Sequence, residues 1–187
     1  MTALHLASRM IEQFYDSKNG GFYFSSQAHE GLFHHSKNFF DDSTPSGNAV
    51  AAKVLLRLGF LTGKLDFVDI AEQMLKSANT HMKSRLDATT SLNSVVMEYL
   101  QPIDVVILRG FEKDLELWQS KTRKLLKRRA ICYAIPESES GLPESLSSKI
   151  FEGVIVAYIC HGFSCSKPIN DFKNYQEYLT DSSARAQ

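Results

Sequence analysis

The chain has 187 residues, of which 43% are hydrophobic and 22% are charged, proportions that are typical of a globular protein and not of a disordered or fibrous one. Basic and acidic residues both number 21, so the formal net charge is zero. The general electrostatic attraction that supports non-specific binding to nucleic acid or membrane is therefore absent. We expect neither a nucleic acid nor a membrane as partner.

Targeting signals and cysteines point to one compartment. The start of the chain has no basic segment followed by an apolar one, and nowhere do 18 apolar residues run together, so we expect no signal peptide and no transmembrane helix. Cys132, Cys160 and Cys165 are too few, and odd in number, for the disulfide framework of a secreted protein. We therefore expect a soluble protein in a reducing compartment, the cytoplasm.

Helical periodicity dominates the first hundred residues. The first predicted helix ends before Asn19-Gly20-Gly21. The second begins at Thr44-Pro45-Ser46 and ends at Thr62-Gly63. A third helix follows after a tight connection, so the second and third helices form an antiparallel hairpin. A fourth helix is ended by Pro102. The apolar side chains that carry this spacing are Leu4, Ala7, Met10, Ile11, Phe14 and Tyr15, then Val50, Val54, Leu55, Leu58 and Leu61, then Phe67, Ile70, Ala71, Met74, Leu75, Ala78 and Met82, and finally Leu92, Val95, Val96, Tyr99 and Leu100. Those of the second helix are predicted to form its buried face.

Two aromatic segments lie between the first and second helices. The runs at 22–25 and 31–35 predict the two strands of a β-hairpin, and residues 37–48 predict a long loop. The aromatic side chains there favour a hairpin core, with stacking against a sugar ring as the alternative. They are Phe22, Tyr23, Phe24, Phe33, Phe39 and Phe40.

After Pro102 the periodicity changes. A continuous apolar run at 104–110 predicts a buried strand, an amphipathic helix follows, and residues 131–135 predict a second strand; this βαβ unit requires parallel strands and a right-handed crossover. We expect a solvated loop at 136–149, a third strand at 154–159 and a terminal helix at 172–179. The predicted fold is thus mixed α and β, mainly α, with a helical part at 1–102 and a small α/β subdomain at 103–187.

Several motifs carry a resemblance to a known family. Lys37-Asn38-Phe39-Phe40-Asp41-Asp42-Ser43-Thr44-Pro45-Ser46-Gly47-Asn48 follows Gly20-Gly21-Phe22-Tyr23-Phe24, and Cys160-x4-Cys165-x2-Pro168 comes late in the chain. In this order the motifs resemble the C-terminal part of the YyaL-type thioredoxin-domain proteins, a family that includes the spermatogenesis-associated thioredoxin-like proteins. One position departs from the family pattern, because His35 stands where members tend to have arginine, and a fixed cation becomes a titratable ring.

The resemblance implies an architecture more firmly than a reaction. In that family a thioredoxin-like domain precedes a helical toroid similar to N-acylglucosamine 2-epimerases and six-hairpin glycosidases. Residues 1–102 would then be a partial α/α-hairpin toroid, and the missing N-terminal region of the same protein would be a partner. A sugar epimerase or glycosidase-like activity would belong to the full-length protein only. The opposing hypothesis is a non-catalytic interaction or redox-regulatory module that uses the toroid as a scaffold.

Titratable groups cluster before the second helix. A loop that leads into a helix N-terminus could hold a sugar hydroxyl, a carboxylate or a phosphate, and an epimerase needs a general acid and a general base. Catalysis is accordingly assigned to His35 and Asp41, and substrate binding to Lys37, Ser46, Asn48 and His34, with no cofactor and no metal. The structural alternative, in which these residues only build the turn and the helix start, stays open.

Two further clusters have competing interpretations. Cys160 and Cys165 are structural thiols, a redox-sensitive pair or half of a metal site, and the sequence supplies no second half. Six cations between Lys121 and Arg129 favour a solvated helix end over a nucleic-acid surface. Because a toroid needs its other hairpins, we expect this chain alone to be inactive, and its uncovered helix faces to cause self-association.

Overall fold

The computed structural model describes residues 2–26, 36–126 and 130–180. The chain forms two compact units, Met1–Gln101 and Pro102–Gln187. Helices dominate the first unit, whereas the second contains a four-stranded sheet with helices. The predicted fold class, mainly α with a small α/β part, is confirmed. Within the described ranges, no helix combines the length and the apolar character needed to cross a membrane.

The described residues of the first unit form four helices: α1 (Thr2–Phe14), α2 (Gly47–Thr62), α3 (Leu65–Ser84) and α4 (Thr90–Leu100). Each coincides with a helix predicted from apolar spacing. Their shared core is apolar and contains residues from all four helices together with two phenylalanines of the intervening segment. Its most buried members are Ala52, Leu55, Leu56, Ala71, Met74, Ala78, Leu92 and Val95, with Phe22 and Phe39 beside them.

The α2–α3 hairpin depends on two glycines. Gly63 ends α2 with a φ of +73°, a left-handed conformation that glycine adopts without steric cost. Gly59 lies where the helices approach most closely, since a Cβ added there would meet Val68 Cγ2 at 2.6 Å and the Lys64 carbonyl oxygen at 3.1 Å. The close approach of α3 to α2 therefore requires a residue without a side chain at position 59.

The buried face of α2 differs from the predicted one. Val50 and Val54 are 49% and 42% exposed, so the prediction that both are buried was wrong. The core side of the helix contains Ala51 and Ala52 together with Leu55 and Leu56, all of them buried. Because α2 is apolar on most of its circumference, its periodicity did not determine which side faces the core.

The segment between α1 and α2 is described in part. Phe22 forms an isolated antiparallel bridge with Tyr15, and the Phe24 amide donates to the Ser36 carbonyl over 2.9 Å. The predicted second strand at 31–35 lies outside the described residues, and so does Phe33. The hairpin with 22–25 stays a prediction.

The second unit contains one sheet with the strand order β2-β1-β3-β4. β1 (Asp104–Gly110) pairs in parallel with β2 (Ala130–Pro136) and antiparallel with β3 (Val156–His161), which pairs antiparallel with β4 (Ser164–Cys165). The helices are α5 (Glu112–Leu125), α6 (Glu144–Ser147) and α7 (Phe172–Thr180). The parallel β1–α5–β2 unit agrees with the prediction.

Three details of this unit depart from the sequence predictions. β3 begins at Val156, which lies opposite Arg109 near the end of β1, and thus two residues later than expected. The expected loop at 136–149 contains the one-turn helix α6, whose Leu146 is buried. β4 contains only Ser164 and Cys165. A strand of two residues is too short to be recognised from an alternating sequence pattern.

Aromatic packing covers one face of this sheet. Val106, Leu108, Ala157 and Ile159 point to the side on which α5 and α7 pack. Trp118 of α5 stacks on Tyr175 of α7 with ring centroids 5.3 Å apart. The Tyr175 hydroxyl lies 2.7 Å from the Thr122 hydroxyl, and burial is the main cause of the raised pKa of Tyr175. Residues 105, 107, 158 and 160 alternate with these and lie on the opposite face.

Candidate functional site

Asp41 joins the beginnings of two helices. One carboxylate oxygen accepts from the Ser46 amide at 2.9 Å, and the other accepts from the Ser91 amide at 2.8 Å and the Thr90 hydroxyl at 3.0 Å. Burial alone would raise the pKa of Asp41, but the Ser91 and Ser46 amides and the Thr90 hydroxyl outweigh it and lower that pKa. A carboxylate held in its charged form is a poor proton donor at neutral pH. The geometry shows that Asp41 positions the starts of α2 and α4. The catalytic role assigned to it from the sequence stays a prediction.

The side chains of Ser46 and Asn48 also form hydrogen bonds within the protein. The Ser46 hydroxyl caps α2 by accepting from the Ala49 amide at 3.2 Å. The Asn48 side chain is buried; its oxygen accepts from the Phe22 amide at 2.7 Å, and its nitrogen donates to the carbonyls of Phe22 and Asn38 at 2.9 and 3.0 Å. Asn48 therefore connects the start of α2 to two positions in the segment that precedes it, Phe22 and Asn38, and its polar atoms are satisfied without a ligand.

Lys37 is paired with a carboxylate that the sequence analysis overlooked. Its ammonium donates to Asp16 Oδ2 and to the Gly20 carbonyl, both at 2.6 Å, and lies 4.9 Å from the centre of the Tyr23 ring. Asp16 also accepts from the Tyr23 hydroxyl and from the Lys18 and Asn19 amides. The hydrogen bond from Lys37 is the main cause of the strongly lowered pKa of Asp16.

A signal for Asp16 was present in the sequence. Asp16-Ser17-Lys18-Asn19-Gly20-Gly21 places an aspartate two and three residues before amides of a turn that ends in two glycines, a pattern typical of an Asx turn. Both glycines have positive φ, +72° and +82°. A Cβ on Gly20 would also lie 2.7 Å from the Gln73 carbonyl oxygen of α3. The turn is thus fixed against the helical hairpin.

A groove with a volume of about 410 Å³ lies at the N-terminus of α2. Phe24, 84% exposed, and Phe40, 36% exposed, are its accessible rings. Position 47 faces open space, since a Cβ there would meet nothing within 4 Å. The lining residues are Met10, Phe14, Phe22, Tyr23, Phe24, Asn38, Phe40, Asp42, Thr44, Pro45, Ser46, Gly47, Asn48 and Ala51.

The predicted site residues therefore divide into three groups. Ser46 and Asn48 line the groove, whereas Lys37 and Asp41 contribute to the structure around it. His34 and His35 lie outside the described residues, so the catalytic role assigned to His35 and the binding role assigned to His34 stay predictions. Asp42, the neighbour of Asp41 in the predicted cluster of titratable groups, is the acidic residue of the groove lining.

The cysteines occupy the second unit. Cys160 and Cys165 form a disulfide, and Cys132 is a free thiol whose pKa burial raises to about 11. Across the described ranges, no three His, Cys, Asp or Glu side chains come together as a metal-binding group. Arg123 and Lys124 lie in the last turn of α5, where cations complement the helix dipole; residues 127–129 lie outside the described residues.

Comparison with known proteins identifies relatives of greater length. No family model matches the chain. Spermatogenesis-associated protein 20 of Homo sapiens is 29% identical over 184 residues, and the Mus musculus protein of the same name is 28% identical over 178 residues. Each alignment covers 90% of this chain but only 22% of the relative. The chain thus spans less than a quarter of the length of the curated relatives that it matches.

Proposed function

We propose that this chain is the C-terminal part of a longer protein related to spermatogenesis-associated protein 20, and that its first unit contributes a binding groove for a sugar or a sugar-derived small molecule to a helical toroid. One observation supports a sugar as the ligand: the groove at the start of α2 combines accessible aromatic rings with polar groups. Flat apolar rings suit the C–H faces of a sugar, and polar groups at the rim suit its hydroxyls.

The polar side of the groove fits hydroxyl groups. The Asp42 carboxylate is exposed and can accept from them. The backbone amides of Gly47 and Asn48 belong to the first turn of α2, where helical N–H groups have no partner within the helix, and they favour an oxygen ligand there. Asp41 and Lys37 then act by holding the groove in shape, one at the helix start and the other beneath Tyr23.

Catalysis is assigned to the longer protein and not to this chain alone. Glycoside hydrolysis needs two carboxyl groups on opposite sides of the bond that breaks, and epimerisation needs an acid and a base. Of the described lining residues, Asp42 alone carries a carboxyl group. A second group would come from His35 or from the region that the relatives have in addition.

An uncovered surface gives that additional region a place to pack. Val50 and Val54 of α2 and Met97 and Leu100 of α4 are between 42% and 71% exposed; we name these four side chains the α2/α4 surface. Arg57 and Glu98 connect the two helices through hydrogen bonds of 2.6 and 2.8 Å. In a toroid each helical hairpin packs against the next, and we assign the α2/α4 surface to that contact.

A titration of the isotope-labelled 187-residue chain with glucose and with N-acetylglucosamine, followed by amide NMR, tests the groove. We expect saturable shifts at Phe24 and Gly47, and their loss in Phe24→Ala. Phe163→Ala is the control, because Phe163 is also half-exposed, at 50%, but belongs to the other unit. If neither sugar produces saturable shifts up to its solubility limit, the binding proposal fails and the non-catalytic scaffold is favoured.

The longer protein has a separate test. Amplification and sequencing of the 5′ end of the natural transcript should reveal a reading frame that continues upstream of the Met1 codon and encodes further helical hairpins. A transcript with an in-frame stop codon shortly before Met1 would contradict this part of the proposal, whatever the outcome of the sugar titration.

A further inference from the structure

The disulfide joins two neighbouring strands at one defined register position. Cys160 of β3 lies directly opposite Cys165 of β4, and His161 lies opposite Ser164. The Ser166 amide donates to the Ile159 carbonyl at 2.8 Å, and the Ile159 amide donates to the Ser166 hydroxyl at 3.1 Å. The cysteines therefore occupy the non-hydrogen-bonded position between two bonded pairs, where opposing Cα atoms are closest.

The two sulfur-bearing residues differ in accessibility. Cys160 is only 5% exposed and lies in the interior of the sheet, opposite Val105 of β1. Cys165 is exposed at the outer edge of the sheet. Because thiol–disulfide exchange requires in-line access of a thiolate to one sulfur, only the Cys165 side of the bond is open to attack from solvent.

The third cysteine takes no part in this pair. Cys132 belongs to β2 and lies opposite Val106, which packs on the α5/α7 face, whereas Cys160 lies on the other face. Burial raises the pKa of the Cys132 thiol to about 11, so little of it is thiolate at neutral pH. Any exchange at this sheet edge therefore involves Cys160 and Cys165 alone.

We propose that Cys160–Cys165 is a thiol-exchange site, with Cys165 as the sulfur that exchanges and Cys160 as the resolving thiol. A small external thiolate, of the glutathione class, attacks Cys165 Sγ; a new S–S bond forms to Cys165, the Cys160–Cys165 bond breaks, and Cys160 leaves as a thiolate that takes up a proton. In the reverse step the Cys160 thiolate attacks Cys165 Sγ, closes the disulfide and expels the external thiolate. This proposal does not depend on the sugar-binding groove.

Exchange would change the mobility of the sheet edge. β4 has two residues, and apart from the disulfide it is connected to β3 through the pairing of His161 with Ser164, the Ser166–Ile159 bonds and the short turn at Gly162-Phe163. Further along the chain, Ile169 and Ala157 of β3 exchange backbone hydrogen bonds of 2.8 and 2.9 Å. Opening the bond removes the covalent cross-link between these strands, which stay joined through the turn. We expect faster amide exchange at residues 164–166 in the reduced protein and no change in the α2–α3 hairpin.

Two matched variants in a Cys132→Ser background test the assignment. Cys160→Ser leaves the exposed thiol and Cys165→Ser leaves the buried one, and both variants lose the same disulfide, so loss of the cross-link affects them alike. Incubated with oxidised glutathione, the Cys165 thiol should form its mixed disulfide about tenfold faster or more than the Cys160 thiol, as measured by intact mass. Near-UV circular dichroism checks that both variants are folded.

The chain with Cys132→Ser alone supplies the equilibrium test. In glutathione buffers of increasing reduced-to-oxidised ratio, the disulfide fraction should fall while the protein stays folded, and amide exchange at 164–166 should rise with it. Equal glutathionylation rates at the two single thiols would overturn the assignment of Cys165. A disulfide that opens only when the protein unfolds would overturn the exchange site itself.

Discussion

At the residue scale, the ion pair between Lys37 and Asp16 is the most enclosed charge contact around the groove. The two side chains are 16% and 7% exposed, and 2.6 Å separates Nζ from Oδ2. Lys37→Met keeps the length of the side chain but leaves the carboxylate of Asp16 buried without its cation. We expect the free energy of unfolding to fall by about 3 kcal/mol, measured by urea denaturation.

A surface pair provides the control for this substitution. Lys76 and Glu72 form a 2.8 Å contact on α3, but their side chains are 59% and 30% exposed, and water replaces such contacts readily. Lys76→Met should therefore unfold at nearly the same urea concentration as the parent chain. Equal losses in the two variants would contradict the prediction, because the enclosed pair would then contribute no more than the exposed one.

The carboxylate of Asp41 predicts a dependence of stability on pH. Its pKa is lowered in the folded protein, so the stabilisation is fully present above the unfolded value of about 3.9 and is lost as the pH falls through the lower folded value. Asp41→Asn should lower the free energy of unfolding by about 1 to 2 kcal/mol at pH 7. The difference from the parent chain should shrink below about pH 4.

The neighbouring aspartate distinguishes this effect from a general loss of charge. Asp42 is exposed, and Asp42→Asn changes the net charge by the same amount. Urea midpoints at several pH values should show the effect in Asp41→Asn and little of it in Asp42→Asn. A constant difference between Asp41→Asn and the parent down to the acid limit would mean that the carboxylate does not favour its charged form in the fold.

At the element scale, the α2–α3 hairpin tests whether close packing outweighs helix propensity. Alanine is a better helix former than glycine by about 1 kcal/mol, yet a Cβ at position 59 would meet Val68 Cγ2 at 2.6 Å. Gly59→Ala should therefore lower the free energy of unfolding by about 1 to 3 kcal/mol. Gly47→Ala, where the Cβ would meet nothing within 4 Å, is the control and should be nearly neutral in thermal denaturation.

An element can be predicted from the sequence when the residues that determine it are close together in the chain. β1 was predicted with its observed bounds because a continuous apolar run ends at Gly110, and α2 because Ser46 caps it. The bonds of Asp41 to Ser91 and of Lys37 to Asp16 cross 50 and 21 positions, and no local pattern encodes such distances. The antiparallel direction of β3 also depends on tertiary pairing. The groove was therefore predicted by position, but the roles of its supporting residues were not.

At the scale of the whole molecule, the neutral charge and ordinary composition are typical of an independent globular protein. The exposed apolar side chains of the α2/α4 surface are not expected from composition. The relatives are more than four times as long as the aligned part, since it covers 22% of each. A piece of a larger helical assembly keeps apolar residues at the surface where its neighbours pack. Val54 at 42% and Met97 at 60% exposure are the side chains that the proposal assigns to such a contact.

The α2/α4 surface should therefore cause the isolated chain to self-associate. Sedimentation velocity over a range of concentrations should show a sedimentation coefficient that rises with concentration, because removing these side chains from water is favourable. Val54→Lys combined with Met97→Lys should reduce the association, since each lysine would have to lose its hydration in the contact. Leu6→Lys, at a leucine of α1 that is 63% exposed, should leave it unchanged. A parent chain that sediments as a monomer at every concentration would contradict this assignment, because the surface would then be stable in water without a covering partner.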